Sequence, residues 1–158
     1  MPCCNYKDKT FGNFVPDSSN ELAYTMCKSI AQGRCRCHPL LIYGPSKCGK
    51  THLLLAIKSG SGKTVGYFLA KDLAENARAE TAEAYSRYDY EVVLIDSLDE
   101  LRGDQNGQNR LFAFIRGLDS AGIQVVLATN HFIDGFDMFK NRFLSEFTDS
   151  LICDIRGV

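Results

Sequence analysis

The stretch Leu41-Ile42-Tyr43-Gly44-Pro45-Ser46-Lys47-Cys48-Gly49-Lys50-Thr51 decides the fold of this chain of 158 residues. From residue 44 to residue 51 it matches the pattern G-x-x-x-x-G-K-T in full. A short apolar run, interpreted as a buried strand, precedes the pattern, and a segment with helical character, residues 51–58, follows it. Because this strand–loop–helix context is the one that the pattern requires, the sequence predicts a P-loop, whose backbone N–H groups and helix N-terminus surround nucleotide phosphates.

Two side chains of this loop have predicted roles. Lys50 is expected to reach the β- and γ-phosphates of a nucleoside triphosphate, and Thr51 is expected to hold Mg²⁺. A second glycine-lysine-threonine run, residues 62–64, precedes a predicted strand and has Ile57 where a P-loop needs its first glycine, so we interpret it as a turn. The expected ligands are ATP or ADP with Mg²⁺, and the residues predicted to bind the nucleotide here are Gly44, Pro45, Ser46, Lys47, Cys48, Gly49, Lys50, Thr51 and His52.

Strands and helices alternate along the whole chain. The predicted strands are nearly continuous apolar runs, which is typical of a parallel sheet covered by helices on both faces. The pattern therefore predicts an α/β fold, the three-layer sandwich of a P-loop NTPase with a five-stranded parallel sheet. The predicted strands are residues 39–43, 64–69, 91–96, 123–129 and 150–155, and the predicted helices are residues 21–31, 51–58, 72–87, 110–118 and 136–147.

Local signals set several boundaries. Asp17, Ser18 and Ser19 are candidate N-caps for the first helix, and Gly33 is expected to end it. A polar loop is predicted from the end of the third strand through Gly107.

Polar residues stand where the predicted strands end. Asp96 closes the third strand like the aspartate of a Walker B motif, which holds Mg²⁺ directly or through water. Asn130 follows the fourth strand and could orient an attacking water, although it could also be an ordinary turn residue. Because ligands of such sheets bind beyond the carboxyl ends of the strands, Gly44, Asp96 and Asn130 are expected to share one edge. Asp96 and Asn130 are therefore the candidate catalytic residues, and Thr51 and Asp96 the candidate metal ligands.

Composition limits the functional classes. The chain is 45% hydrophobic and 23% charged, as in an ordinary single domain, and its formal net charge is -1. Without a surplus of basic residues, DNA contact is expected to be weak at most. No apolar run approaches a membrane span, so we expect a cytoplasmic protein without a membrane partner. The chain has seven cysteines, and the cluster Cys35-Arg36-Cys37-His38, with Cys27 upstream, could bind zinc, but free thiols are the expected state.

Several segments together resemble the AAA+ module of the DnaA/Hda family of bacterial replication initiators. The resemblance runs through residues 11–15, 19–23, 41–44, 49–54, 94–96, 112–122, 125–130, 141–143 and the last predicted strand, and thus covers most of the chain. It implies an AAA+ fold, with residues 1–17 as an N-terminal segment near the adenine pocket and residues 18–158 as the nucleotide-binding core. It also implies that Phe14, Val15 and Pro16 lie near the adenine and that Asn130 is the sensor I residue. The implied partner is another AAA+ protein: an initiator, a helicase or a second copy of this chain.

Three departures from the family pattern bear on catalysis. Ser97 stands where the family normally has an acidic residue that polarises the attacking water. Arg142 matches the first of two family arginines, but Glu146 stands in place of the second, the arginine finger. The chain stops at Val158, before the helical lid and the DNA-reading helix-turn-helix of the family, so we expect a core without a lid that binds nucleotide more weakly.

Three functional hypotheses remain at this stage. The first is an ATP-binding switch in replication initiation or its regulation, with weak or no intrinsic hydrolysis. The second is a partner-stimulated ATPase, such as a helicase loader, in which a partner, Asp99 or Glu100 supplies the missing groups. The third is a small-molecule kinase on the P-loop scaffold.

Overall fold

A five-stranded parallel sheet lies at the centre of the computed structural model, which describes residues 9–34, 39–45, 48–76, 90–130, 145, 147 and 150–155. The strands are β1 (Leu40–Tyr43), β2 (Val65–Leu69), β3 (Val92–Asp96), β4 (Gln124–Thr129) and β5 (Leu151–Asp154). Their order in the sheet is β2-β3-β4-β1-β5, and every neighbouring pair is parallel. The sheet confirms the predicted fold class.

Helices cover both faces of this sheet. The described helices are α1 (Glu21–Ala31), α2 (Lys50–Gly60), α3 (Ala70–Asn76) and α4 (Gln105–Ser120), and a short 3-10 helix covers Leu98–Leu101. Successive residues of a strand point to opposite faces, and β3 follows this rule. Val93 and Ile95 join a core with α3 and α4, whereas Val92 and Leu94 join a second core with α1 and α2. Within the described residues, no helix is both long and apolar enough to cross a membrane.

The start of α4 differs from the sequence prediction. The loop was expected to continue through Gly107, with a helix from Arg110, but the helix begins at Gln105. The carboxylate of Asp104 accepts a hydrogen bond from the Gly107 backbone N–H at 2.8 Å and so caps the helix. The prediction was wrong because Gly107 suggested a loop, while the cap supplied by Asp104 offsets the low helix propensity of glycine.

The start of α1 has another N-cap than expected. The helix covers the predicted residues, but Asn20 is the capping residue, and none of the three candidates before it has that place. Asp17 instead accepts hydrogen bonds from the hydroxyl and the backbone N–H of Ser19, which lower the pKa of its carboxyl group. Gly33 follows the helix end with φ +71°, as predicted for a terminating glycine. Residues 77–87 of the predicted helix 72–87 and most of helix 136–147 lie outside the described residues.

Candidate nucleotide-binding site

The P-loop begins in a crowded position between three strands. The backbone N–H of Gly44 donates to the carbonyl of Thr129 at 3.3 Å, and Ile155 N–H donates to the carbonyl of Tyr43 at 2.7 Å. A Cβ atom on Gly44 would lie 2.0 Å from the Ile155 carbonyl oxygen. Glycine is therefore the residue that lets the chain leave β1 between its two neighbours.

The loop closes on α2 through a second constrained glycine. Gly49 is the N-cap of α2 and has φ +103°, a left-handed conformation that favours glycine. Its missing side chain also leaves room for Phe14, whose Cε2 atom would lie 2.9 Å from a Cβ atom there. Two predicted loop residues, Ser46 and Lys47, lie outside the described residues.

Lys50 has its ammonium group inside the loop. The side chain is buried, and Nζ donates to the carbonyls of Gly44 at 2.7 Å and Pro45 at 2.6 Å and to the sulfur of Cys48 at 3.5 Å. Lys50 is also the first residue of α2, whose first turn carries no acidic side chain. The positive charge thus adds to the positive end of the helix dipole, so the site fits an anion such as a phosphate group.

Asp96 and Thr51, the two candidate metal ligands, meet across the site. The Thr51 hydroxyl donates to Oδ2 of Asp96 at 2.7 Å, although 45 residues separate them in the chain. Tyr67 donates its hydroxyl to the same oxygen at 2.6 Å, and the Ser97 backbone N–H donates to Oδ1 at 2.8 Å. A hydroxyl and a carboxylate are hard oxygen donors of the kind that Mg²⁺ uses in nucleotide sites, so this pair fits the predicted metal.

Asn130 is held by an aspartate that follows β3. Its backbone N–H donates to Oδ1 of Asp99 at 3.1 Å, and its side-chain amide nitrogen donates to Oδ2 of Asp99 at 3.1 Å. Asn130 directly follows Thr129, which pairs with Tyr43 next to the P-loop. The three strand ends that carry Gly44, Asp96 and Asn130 therefore lie side by side at the carboxyl edge of the sheet, whereas Glu100 is exposed.

The N-terminal segment is attached to the start of α2. The buried ring of Phe14 stacks on Tyr24 with 5.5 Å between centroids and meets the His52 ring edge-on at 5.2 Å. His52 Nε2 lies 2.7 Å from the carbonyl oxygen of Thr10. Val15 is 79% exposed, and Pro16 lines a depression of about 300 Å³. The adenine contact of Phe14, Val15 and Pro16 stays a prediction, as does the phosphate-binding role of the loop.

Some sequence-based expectations cannot be placed, and one contact was missed. Arg142, Glu146 and the cluster of residues 35–38 lie outside the described residues, while the turn expected at residues 62–64 connects α2 with β2. Tyr67 was not predicted to touch the site. Strand alternation places Tyr67 on the same face of β2 as Leu69, but the register that pairs Leu69 with Asp96 is needed to bring Tyr67 to the site.

Comparison with known proteins identifies a family that matches nearly the whole chain. The model of the bacterial DnaA ATPase domain matches residues 6–154. The chromosomal replication initiator protein DnaA of Corynebacterium jeikeium is 28% identical over 162 residues, which cover 95% of this chain and 28% of that protein. Domain III of DnaA from Thermotoga maritima superposes with a TM-score of 0.77 at 29% identity, covering 94% of this chain and 67% of that one.

A nucleotide complex is also among the similar structures. AMPPCP-bound DnaA from Aquifex aeolicus has a TM-score of 0.73 and 25% identity, with coverage of 94% of this chain and 50% of that chain. The chain spans roughly a third of the length of the curated relatives that it matches, from 28% to 36%. The P-loop, the strand order and the family match over residues 6–154 lead to one assignment: this chain belongs to the family of bacterial DnaA ATPase domains.

Proposed function

We propose that this domain binds ATP or ADP with Mg²⁺ and acts as a nucleotide-dependent switch in the initiation of DNA replication or in its regulation. The observation that carries the proposal is the buried ammonium group of Lys50, which lies inside a glycine-bounded loop at the N-terminus of α2. The Lys50 charge and the positive end of the α2 dipole both attract an anion, and the first turn of α2 has no acidic side chain. The AMPPCP bound to the Aquifex relative supports a nucleotide as that anion.

Each side chain of the site has a task in this proposal. Lys50 would exchange the carbonyls of Gly44 and Pro45 for the β- and γ-phosphates. Thr51 and Asp96 would hold Mg²⁺, which neutralises phosphate charge when it is bound. Phe14, with Val15 and Pro16 beside it, would border the adenine. The small-molecule kinase hypothesis has no support in the family match.

Slow hydrolysis is part of the proposed switch. Ser97 occupies the position after Asp96, and a serine hydroxyl is not a base at neutral pH. Its backbone N–H is used to hold the Asp96 carboxylate. The bound nucleotide would therefore persist and set a surface for another AAA+ protein, whether an initiator, a helicase or a second copy of this chain. With a net charge of -1, direct DNA contact would be weak.

Calorimetric titration with ATP and ADP, in the presence of Mg²⁺, tests the binding step. The chain offers a matched pair of variants, Lys50→Ala and Lys63→Ala, because both lysines stand in a glycine-lysine-threonine run. Lys63 lies on the surface, 4.0 Å from the Glu91 carboxylate. We expect Lys50→Ala to weaken binding about 10- to 100-fold, as for a lost hydrogen bond between charged groups, and Lys63→Ala to bind like the wild type. Equal affinity in both variants would refute the proposed site.

Phosphate release measured in the same samples tests the second part. We expect little release from the wild-type chain alone. Turnover comparable with that of an active AAA+ ATPase, and lost in Lys50→Ala, would contradict a slow switch.

A partner-stimulated ATPase, such as a helicase loader, is the second candidate. The observation that favours it is the Asp99 carboxylate, which lies against Asn130 at the same edge of the sheet. This candidate predicts that a cognate AAA+ partner raises the rate of phosphate release. An unchanged rate at saturating partner would count against it.

A further inference from the structure

The contact between Asp99 and Asn130 links two loops that the sequence separates by 31 residues. The two side chains are half-buried, and the two hydrogen bonds use both oxygens of one carboxylate. One bond fixes the backbone of Asn130 and the other fixes its side-chain amide. The pair therefore holds the first residue after β4 in both position and orientation.

The backbone after β3 brings Asp99 to this place. Ser97 has φ 60° and ψ 46°, and among the described residues it is the one non-glycine residue with a positive φ. A left-handed turn at a residue with a side chain costs about 1–2 kcal/mol, so it persists where surrounding contacts hold it. Leu98 and Leu101, both buried, anchor the 3-10 helix that follows and leave Asp99 between them.

The chemistry of the pair decides which way the Asn130 amide is turned. A carboxylate carries no hydrogen, so it can only accept hydrogen bonds. The atom of Asn130 that faces Asp99 must then be Nδ2, which settles an assignment that an isolated amide leaves open. Its Oδ1, an acceptor, is the atom turned away from Asp99.

We propose that Asp99 is a positioning residue that fixes the Asn130 amide, so that Asn130 offers Oδ1 rather than Nδ2 to the phosphate end of the nucleotide pocket. An acceptor there can receive a hydrogen bond from water, but it cannot donate one to a phosphate oxygen. Asn130 would thus bind a water molecule without donating a hydrogen bond to a terminal phosphate. This inference rests on the proposed function, because it concerns the same pocket.

Replacement of Asp99 by asparagine reverses the direction of the hydrogen bond between the two side chains without changing the size of residue 99. In Asp99→Asn, the new carbonyl oxygen still accepts from the Asn130 backbone, and the new amide nitrogen faces the Asn130 side chain. Asn130 must then turn its own amide to offer Oδ1 to residue 99, which directs Nδ2 towards the pocket. Asp99→Ala removes both hydrogen-bond acceptors that Asn130 contacts in residue 99. Glu100→Gln is the matched control, because Glu100 is the neighbouring acid and is exposed.

Amide proton exchange of the Asn130 side chain, measured by NMR without nucleotide, tests the orientation. We expect slowed exchange in the wild type and in Glu100→Gln, and fast exchange in Asp99→Ala. In Asp99→Asn the slowed side-chain amide should be that of residue 99. Equal exchange at Asn130 in the wild type and in Asp99→Ala would overturn the inference, whatever the nucleotide results.

The affinities for AMPPCP and ADP test the consequence for the pocket. We expect Asp99→Asn to raise the preference for AMPPCP over ADP by about tenfold, because a donor then faces the third phosphate. Glu100→Gln should keep the wild-type ratio. An unchanged ratio in Asp99→Asn, in a protein that binds both ligands, overturns the inference and leaves the proposed function standing. Absence of binding in the wild type would refute the proposed function itself, while the exchange experiment still decides the orientation.

Discussion

Asp96 is almost fully buried and accepts three hydrogen bonds, from Thr51, Tyr67 and Ser97. A carboxylate removed from water is unfavourable unless such donors replace its hydration. At the scale of the residue, these three donors hold the Asp96 carboxylate in place for the proposed metal. The Thr51 bond joins the two candidate metal ligands, while Tyr67 and Ser97 hold the carboxylate from the sheet side.

Replacement of Tyr67 by phenylalanine tests these contacts. Tyr67→Phe removes one donor to a buried carboxylate, so we expect the free energy of unfolding to fall by about 1–3 kcal/mol in urea titrations. Tyr24→Phe is the control, because the described contacts of Tyr24 are made by its ring. A loss of the same size in both variants would mean that the Asp96 contact is not its source.

Replacement of Gly44 by alanine tests the crowding at the start of the P-loop. A Cβ atom would overlap the Ile155 carbonyl at 2.0 Å, so Gly44→Ala must displace either β5 or the loop. Gly62→Ala is the control, since nothing lies within 4 Å of its Cβ position. We expect Gly44→Ala to lower the free energy of unfolding by on the order of 2 kcal/mol or more, which lowers the melting temperature by several degrees. Gly62→Ala should leave the melting temperature nearly unchanged. Equal melting temperatures would show that the strands adapt without cost.

The sequence predicted part of this residue-scale chemistry. The P-loop pattern and the terminal aspartate of β3 were sufficient to name Thr51 and Asp96 as candidate metal ligands, and the two side chains are in contact. The contact of Asp99 with Asn130 could not be predicted, because it depends on the left-handed conformation of Ser97, which no local pattern indicates. Tyr67 was missed for a different reason, since its contact requires the register of β2 against β3.

At the scale of the element, α4 shows how one cap changes a helix boundary. Asp104 accepts from the Gly107 N–H, and the helix begins five residues before the predicted Arg110. Gln108, which lies in this first part of α4, also donates to the carbonyl of Leu101 at 2.8 Å and connects the helix to the 3-10 helix. The early start of α4 therefore supports the segment that carries Asp99.

Removal of the cap should loosen this segment. We expect Asp104→Ala to lower the free energy of unfolding by about 1 kcal/mol, and Asp104→Asn to retain most of it, because asparagine also caps helices. Chemical denaturation of the two variants measures the difference. Equal losses would indicate that the charge of Asp104, rather than its cap, stabilises α4.

Helices and strands with continuous patterns were well predicted. The five strands agree within one residue at each end, since each coincides with a mainly apolar run of the sequence. The first turns of α4 were not predicted, because Gln105, Asn106 and Asn109 show no apolar periodicity. The residue that starts the helix is its N-cap, Asp104.

At the scale of the whole molecule, β5 completes the core that contains α1 and α2 at one edge of the sheet, where Cys153 and Ile155 are buried. Cys153 of β5 is buried beside Ile42 of β1, and burial raises the pKa of its thiol to about 11 from the ordinary 9.0. The unfolded chain therefore loses this proton first as the pH rises. The contribution to stability is fully present below about pH 9 and is lost between pH 9 and about 11.

Denaturation at pH 8 and pH 10.5 tests this dependence. Between these two pH values, the free energy of unfolding of the wild type should fall by about 1–3 kcal/mol more than that of Cys153→Ala, because the variant lacks the thiol with the raised pKa. Other groups titrate alike in the two proteins and cancel in the difference. Parallel pH profiles would show that Cys153 does not contribute.

The edge strand has a mechanical consequence. β5 is held on one side, by β1, and the carbonyl of Ile155, the residue after it, borders the space that Gly44 leaves open. Tension applied to the chain beyond β5 would act on this peptide before it reached the centre of the sheet. Under the proposed function, displacement of the Ile155 peptide would therefore disturb the first glycine of the phosphate loop while β3 and β4 stay paired.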